Sequence, residues 1–185
     1  MEIIGDVEKL RIYIEMKGWD INSKISNSTL LYWAADLGYV ESVKLLVEKG
    51  AKLNEKNNLG DTALMAAVLN FDIRPEANTG IIVKILIDAG ADVNILDNKN
   101  NSPLLLAAYR KNKGIIKMLI DAGAKDYPNL QGQTALQIAS EKLLDKDIID
   151  SIKNVKVDGG FYRRKTKSAR RKSKRRSKRK LKSRK

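Results

Sequence analysis

Apolar residues recur along much of the chain at spacings of three and four, in short segments that each end at a Gly-Ala pair. Spacing of this kind places the apolar side chains on one face of an α-helix. The apolar positions of three such segments are Val40, Val43, Leu45 and Leu46; Val83, Leu86 and Ile87; and Ile115, Ile116, Leu119 and Ile120. The Gly-Ala pairs follow at 50–51, 90–91 and 123–124, and Gly favours the left-handed conformation that ends many helices. The pattern predicts three amphipathic helices.

A second, shorter helix is predicted before each of these three. It begins at a hydroxyl residue that can accept a hydrogen bond from the unpaired N–H groups of the first turn, and small residues that permit close helix packing follow. The hydroxyl residues are Thr29, Thr62, Ser102 and Thr134, and the small residues are Ala34, Ala35, Ala66, Ala67, Ala107, Ala108 and Ala139. The hydroxyl residues are 33, 40 and 32 positions apart. These spacings indicate a repeat of about 33 residues, with an insertion in the second interval.

The insertion falls within the segment "FDIRPEANTG" at 71–80. Pro75 and Gly80 predict that this segment is a loop between the two helices of its unit. A tolerated surface insertion and a contact specific to one partner are both compatible with the sequence.

The repeat resembles the ankyrin repeat, in which each unit is a helix–turn–helix followed by a β-turn finger. The resemblance covers about residues 5–154, and "AGADVN" and "SPLLLAAYR" stand close to the family consensus. It implies an all-α ankyrin-repeat solenoid. The family's Thr-Pro-Leu-His motif is altered here, so we expect lower stability than in a consensus array. Its His position is taken by Tyr32, Met65, Leu105 and Gln137.

This register divides the chain into three expected parts. Residues 1–27 are a truncated N-terminal capping repeat, residues 28–158 hold three full repeats and a degenerate C-terminal cap, and residues 159–185 are a disordered basic tail. A terminal repeat needs a polar outer face because no further repeat packs on it. In the last unit, polar side chains are supplied by Asp145, Lys146, Asp147 and Asp150.

The ankyrin resemblance also implies a concave protein-binding surface, formed by the finger tips and the exposed side of the first helices. Carried onto matching positions, the predicted face comprises Asp36, Leu37, Leu59, Asp61, Leu69, Asn70, Lys99, Asn101, Tyr109 and Arg110. It is extended by Ile25, Ser26, Ser28, Asn58, Asn98, Leu130, Gln131 and Gln133. Tyr and Arg are residue types enriched at binding hot spots. A generic polar face without a strong partner is the alternative.

Charge is divided very unevenly between the array and the tail. Of the 36 basic residues, 16 lie in residues 161–185, which contain no Asp or Glu, so residues 1–160 retain 20 basic and 22 acidic residues. The tail therefore carries +16 and the rest of the chain −2. Like charges at this density, with few apolar residues to bury, predict that the tail is disordered.

The basic side chains of the tail are predicted to bind phosphates of nucleic acid without sequence preference. The clusters at 163–164 and 175–180 also fit a two-part nuclear import signal, and anionic lipid is an alternative ligand. The candidate residues are Arg163, Arg164, Lys165, Arg170, Arg171, Lys172, Lys174, Arg175, Arg176, Lys178, Arg179 and Lys180. Ser173 and Ser177 each follow three basic residues, a context that favours phosphorylation by basic-directed kinases. The alternative is that these serines only separate the basic clusters.

The residues needed for common enzyme chemistry are missing from the sequence. There is no Cys and no His, which excludes thiolate chemistry and the commonest general base. The segment 92–103 superficially resembles a calcium loop, but Asp97 stands where Gly is needed and Pro103 where Glu is needed. We expect no enzyme activity, no metal, no cofactor and no small-molecule ligand.

The sequence favours an adaptor whose array binds an unidentified protein while the tail binds nucleic acid or an import receptor. The alternative is a protein-binding or inhibitory ankyrin module whose tail is only an import signal or a membrane-surface anchor. No apolar run reaches the roughly 18 residues of a membrane span, so we expect a soluble intracellular monomer, nuclear in a eukaryotic cell. The chain is rich in Ile, Asn and Lys and has a basic tail, and in these two respects it resembles some ankyrin-like proteins of large DNA viruses.

Overall fold

The computed structural model describes residues 2–16, 19–69 and 76–155. The helices are α1 Glu2–Gly5, α2 Val7–Glu15, α3 Leu30–Asp36, α4 Val40–Glu48, α5 Ala63–Leu69, α6 Glu76–Asp88, α7 Pro103–Tyr109, α8 Lys113–Asp121, α9 Ala135–Glu141 and α10 Lys146–Lys153. Two short strands, β1 Lys24–Ile25 and β2 Ser28–Thr29, pair antiparallel in the first finger. The predicted tail lies outside the described residues, so its boundary at 159 stays a prediction.

Consecutive helices pack in pairs, and the pairs stack in two layers. The first layer runs α3, α5, α7 and α9, and the second runs α4, α6, α8 and α10. Each helix of one layer also packs on its partner in the other, as α3 does on α4 and α7 does on α8. The predicted all-α solenoid of helix–turn–helix units is confirmed.

The predicted cap residues begin and end the helices as expected. The hydroxyl oxygens of Thr29, Ser102 and Thr134 accept from the backbone N–H three residues later at 3.2, 3.1 and 3.3 Å. At the C-terminal ends, Gly50, Gly90 and Gly123 have φ of 82°, 92° and 84°. Only Gly adopts this left-handed conformation readily, which explains why it recurs after each second helix.

The core is a continuous stack of small and aliphatic side chains between the two layers. All seven predicted small residues are buried, and so are most of the apolar residues of the second helices. Two of the four residues at the altered His position, Met65 and Leu105, are fully buried and add apolar contact. A third, Gln137, forms a capping box with Thr134 instead. Apolar packing and helix capping therefore replace the missing His at these three positions.

The insertion is not a loop throughout, contrary to the prediction from Pro75 and Gly80. Helix α6 begins at Glu76 and runs through Gly80 to Asp88, so half of the segment 71–80 is helical. Proline is common at the start of helices because its missing N–H has no intrahelical partner there, so Pro75 is compatible with a helix that starts after it. Gly80 remains helical because the neighbouring Thr79 and Ile82 are buried against the core.

The two ends of the array differ in their outer faces. The side chains of Asp145, Lys146 and Asp147 in the last unit are exposed, as predicted for a cap. At the other end, α2 and its C-cap residue expose apolar side chains, with Ile12 63% and Met16 56% accessible. The short helix α1 is held against α4 by the Ser42 hydroxyl, which donates to the Ile4 carbonyl.

Candidate protein-binding groove

Each finger after the first is shaped by one side chain at the base of its turn. The Oδ1 atom of Asn57 accepts from the N–H groups of the residues two and four positions later, at 2.8 and 2.9 Å. Asp97 accepts in the same way at 2.8 and 2.7 Å, and Asn129 at 3.0 and 2.9 Å. Such side-chain turns are typical of Asn and Asp, and here they fix three fingers in one conformation.

Neighbouring fingers are joined by backbone hydrogen bonds. The Asn98 N–H donates to the Leu59 carbonyl at 2.9 Å, and the Leu130 N–H donates to the Lys99 carbonyl at 3.0 Å. The fit is tight at Gly60, where a Cβ would lie 2.6 Å from the backbone nitrogen of Asn98. The fingers therefore form a continuous edge along which a partner can lie.

A ladder of Asn side chains joins the repeats, and the sequence analysis missed it. The Oδ1 atoms of Asn22, Asn54 and Asn94 accept from backbone N–H groups of the next unit at 2.8, 3.0 and 2.8 Å. The available signal was the recurrence of Asn in the same register, at the ends of "WDIN", "AKLN" and "ADVN". These amides space the repeats, and so they position the fingers.

An open groove of about 500 Å³ lies between the third and fourth fingers and the ends of the first helices. Its polar lining comes from the fingers, and its apolar floor comes from the end of α5 and from α7. The lining residues are Leu69, Lys99, Asn101, Leu106, Tyr109, Arg110, Asn129, Gln131 and Gln133.

A hydrogen-bond network fixes the polar wall of the groove. The Tyr109 hydroxyl donates to Gln133 Oε1 at 2.5 Å, and Asn129 Nδ2 lies 3.3 Å from the same oxygen. Asn129 Nδ2 also donates to Asn101 Oδ1 at 3.1 Å, and Asn101 Nδ2 donates to Asp97 Oδ2 at 2.7 Å. The network links one first helix to two fingers, so the groove is organised before any ligand binds.

The neighbouring part of the face, around Asp61 of the second finger, is acidic and partly desolvated. Burial and the negative charge of Asp97 raise the pKa of Asp61, against an opposing hydrogen bond from Asn57. Burial, followed by the charges of Asp36 and Asp61, raises the pKa of Tyr32 to about 12. The Tyr32 hydroxyl is therefore protonated at neutral pH.

The structure brings together half of the ten residues predicted for the protein-binding face. Leu69, Lys99, Asn101, Tyr109 and Arg110 line the groove. The other described members lie outside its lining: Asp36 and Leu37 are half-buried, Leu59 is 66% exposed, and Asp61 is 6% exposed.

Two lining residues, Leu106 and Asn129, were not predicted. Asn129 aligns with Asn57 and Asp97 at the base of the fingers, and this register was a usable signal. Asn70, the predicted nucleic-acid residues and both predicted phosphorylation sites lie outside the described residues.

The described residues contain neither a candidate membrane span nor a candidate metal site. No helix in 2–16, 19–69 and 76–155 is both long enough and apolar enough to cross a membrane. Over the same ranges, no cluster of three or more carboxylate, His or Cys side chains is placed to hold a metal ion.

A family model described as ankyrin repeats (3 copies) matches residues 3–74 and 73–157. These two matches cover the stacked helix pairs and their fingers. The chain therefore belongs to the ankyrin-repeat family, which confirms the resemblance read from the 33-residue register. Ankyrin arrays are protein-interaction modules, and this chain carries one.

Individual relatives share the repeats over small parts of their own length. The chain is 43% identical to human protein fem-1 homolog C over 72 residues, which are 38% of this chain and 12% of that protein. It is 31% identical to putative palmitoyltransferase ZDHHC13 of Danio rerio over 142 residues, 76% of this chain and 21% of that protein. It is 37% identical to mouse 2-5A-dependent ribonuclease over 76 residues, which are 41% of this chain and 10% of that protein. The chain thus spans about an eighth of the fem-1 relative and about a fifth of the zebrafish one.

Proposed function

We propose that this protein is a non-enzymatic adaptor. The ankyrin array binds a partner protein through the groove, and the basic tail binds nucleic acid non-specifically or directs the pair to the nucleus. The observation that carries the proposal is the separation of charge: 16 basic residues and no acidic one in residues 161–185, attached to a family array that is slightly acidic.

The array half of the proposal is supported by the groove geometry. Tyr109 and Arg110 are of the types enriched at hot spots, and both line a groove whose polar wall is fixed by hydrogen bonds. A wall that is already ordered loses little conformational entropy when a partner binds.

The tail half is supported by charge and composition. Lys and Arg release counterions from nucleic acid phosphates, which provides affinity without sequence preference. No aromatic residue follows Tyr162, so base stacking adds little. An import signal needs only a short basic cluster, whereas 16 charges extend over the whole tail, and this excess favours nucleic acid as a ligand.

The tail is tested by measuring binding of duplex DNA and RNA at several salt concentrations, with the full chain and with a 1–158 truncation. If about half of the tail charges contact phosphates, the log–log slope on duplex DNA is roughly −7. We expect the truncation to lose this binding while it keeps the helical far-UV spectrum. Affinity that is unaffected by salt, or retained by the truncation, contradicts the proposal.

The array is tested by pull-down with the same two proteins, each with and without nuclease. Partners that the truncation retains in the presence of nuclease belong to the array, and partners lost with nuclease belong to the tail. A fluorescent fusion of each protein reports localisation. If the full chain is nuclear but neither protein binds nucleic acid in solution, the tail acts only as an import signal.

A further inference from the structure

The side-chain amide of Gln133 has a free NH2 group at the groove. Its Oε1 atom accepts from the Tyr109 hydroxyl at 2.5 Å, and Asn129 Nδ2 lies 3.3 Å from the same oxygen. Its Nε2 atom makes no hydrogen bond to any residue that the structure describes. Gln133 is half-buried and lines the groove, so two N–H donors are available there to a ligand.

The direction of hydrogen bonding in the wall fixes Gln133 in this orientation. Asp97 has only acceptors, so Asn101 Nδ2 donates to its Oδ2 at 2.7 Å and Asn101 Oδ1 remains an acceptor. Asn129 Nδ2 donates to that oxygen at 3.1 Å, while Asn129 Oδ1 accepts from the backbone N–H groups of residues 131 and 133. If Gln133 were flipped, its NH2 group would face the NH2 group of Asn129, donor against donor. The oxygen therefore faces the wall, and the NH2 group is left for a ligand.

The charged side chains of the lining are already engaged within the chain. The positive charge of Lys99 acts on the buried Asp61 carboxylate, and Arg110 interacts with another group of the chain. No Asp or Glu is among the residues that line this groove. Because an unpaired charge is unfavourable to bury, the lining favours a ligand that is uncharged and offers an oxygen acceptor.

An apolar floor lies in the same groove as the free amide. It is formed by Leu69, Leu106 and the ring of Tyr109, and burial of an aliphatic side chain against it is favourable. An extended peptide combines the two features that the groove requires. Its main-chain carbonyl groups are not used in internal hydrogen bonds, as they are in a helix, and its successive side chains point to opposite faces.

We propose that the groove binds an extended, uncharged peptide segment of the partner protein, with a main-chain carbonyl oxygen accepting from Gln133 Nε2 and an aliphatic side chain on the apolar floor. This inference rests on the proposed function of the array. The basic tail of this chain is not the occupant, because residues 161–185 carry 16 positive charges and no negative one, and these would be buried in the groove without a partner.

The test uses the full chain, isotope-labelled for NMR, and the capped peptide acetyl-Ser-Thr-Leu-Thr-Ser-amide, which carries no charge and is not attracted to the tail. We expect shift changes in the backbone amides of residues 99, 109 and 131–133 and in the side-chain NH2 group of Gln133. In the free protein, the NH2 groups of Asn101 and Asn129 are hydrogen-bonded and exchange slowly with water. The Gln133 NH2 group exchanges faster and is slowed when the peptide binds.

A pair of matched variants isolates the contribution of the free donor. Gln133→Glu removes the NH2 group and keeps the wall, because a carboxylate still accepts from Tyr109 and Asn129. We expect its peptide affinity to fall at least about fivefold, the loss typical of one hydrogen bond. Gln137→Glu adds the same charge in α9, outside the groove lining, and keeps an acceptor for the Thr134 N–H. Its affinity stays at the wild-type value, and both variants keep the helical far-UV spectrum.

Three results would overturn the inference. The first is that peptide at millimolar concentration leaves the Gln133 NH2 group unchanged. The second is that Gln133→Glu and Gln137→Glu lose affinity equally. The third is that a peptide with Glu in place of Thr binds the groove more tightly than the uncharged peptide, which would show that the occupant is acidic.

Failure of this inference is distinguishable from failure of the adaptor function. If the nuclease-treated pull-down retains array partners that Gln133→Glu does not release, and the peptide has no effect at the groove, the array binds its partner through another surface. If the array retains no partner at all, the proposed function of the array itself fails.

Discussion

Asp126 illustrates how one residue can depart from the repeat and acquire a structural role. The aligned positions in the preceding units are Leu53 and Val93, both apolar, whereas Asp126 is 4% exposed and begins the connection to the last unit. Its carboxylate accepts from the N–H groups of Ala135 and Leu136 at 2.7 and 3.2 Å. It therefore caps the first turn of α9 from outside that helix.

Replacing Asp126 by Ala is expected to destabilise the array. The two N–H groups of α9 lose their acceptor in a buried place, and loss of a helix cap of this kind lowers the free energy of unfolding by about 1–2 kcal/mol. Urea denaturation of the full chain measures the change. Asp126→Asn keeps one acceptor oxygen and is expected to lose less, so an equal loss in both variants would contradict the capping role.

The pH dependence of stability provides an independent test of the same residue. Burial raises the pKa of Asp126 above its ordinary value of 3.8, against opposing hydrogen bonds from Ala135, Leu136 and Thr134. The native state then binds the proton more tightly than the unfolded state. The resulting stabilisation is fully present below 3.8 and is lost as pH rises through the native pKa.

The variant Asp126→Asn has no ionisable side chain at this position, so it is the reference for the pH dependence of the wild type. We expect the stability of the wild type relative to the variant to decline as pH rises across that window. A constant difference between the two proteins over acidic pH would show that the native pKa of Asp126 is not raised.

At the scale of elements, the glycine that ends a helix and the glycine in a finger are required for two different reasons. Gly60 and Gly50 both have φ of 82°. A Cβ on Gly60 would lie 2.6 Å from the Asn98 nitrogen, whereas a Cβ on Gly50 would meet no heavy atom of the described residues within 4 Å. Backbone strain is common to both sites, and contact with the next finger is present at Gly60 alone.

Gly60→Ala is therefore expected to lower stability more than Gly50→Ala. A left-handed non-Gly residue costs about 1–2 kcal/mol, and the forced shift of the next finger adds about 1–3 kcal/mol. Denaturant midpoints of the two variants measure the difference directly. Equal losses would mean that the third finger yields to the extra methyl group without cost.

Helix α6 contains a glycine whose replacement is expected to stabilise the protein. Gly80 lies inside the helix, and among the atoms that the structure describes a Cβ there would meet Met118 Cε alone, at 3.8 Å. Gly80→Ala reduces the conformational entropy of the unfolded chain and raises the free energy of unfolding by about 0.5–1 kcal/mol. A lower thermal midpoint would contradict the helical placement of this part of the insertion.

The helices and their limits were largely predictable, because the signals that define them are local. Apolar spacing, hydroxyl caps and Gly ends act within a few residues, and Thr29, Ser102 and Gly90 have the roles that the pattern predicts. Gly80 was wrongly assigned to a loop, because a Pro and a Gly within ten residues indicate a loop when only local propensity is considered. Burial of its neighbours in the stack outweighs that local preference.

At the scale of the whole molecule, the separation of charge predicts an electrostatic switch in the tail. Two phosphates at Ser173 and Ser177 would lower the tail charge from +16 to about +12 or +13, since each adds about −1.5 to −2. Affinity for duplex DNA is expected to fall and its salt slope to flatten, because fewer basic residues remain available to phosphates. Anisotropy measured before and after stoichiometric phosphorylation tests this expectation.

Array partners provide the control for that experiment. Binding at the groove is expected to survive phosphorylation, because Tyr109 and the other groove residues are remote in sequence from both serines. Unchanged DNA affinity at moderate salt, with both sites fully modified, would show that the tail is not such a switch.

The sequence by itself determined the repeat, the fold class, the caps and the separation of charge, because each follows from spacing or composition along the chain. Only the tertiary structure decided which side chains meet between repeats. The burial of Asp126, the Asn ladder and the Tyr109–Gln133 network depend on atoms that are about one repeat or less apart in sequence and are brought together by stacking. The geometry of neighbouring units determines which atoms these hydrogen bonds join, and the Tyr109–Gln133 network fixes the polar wall of the groove.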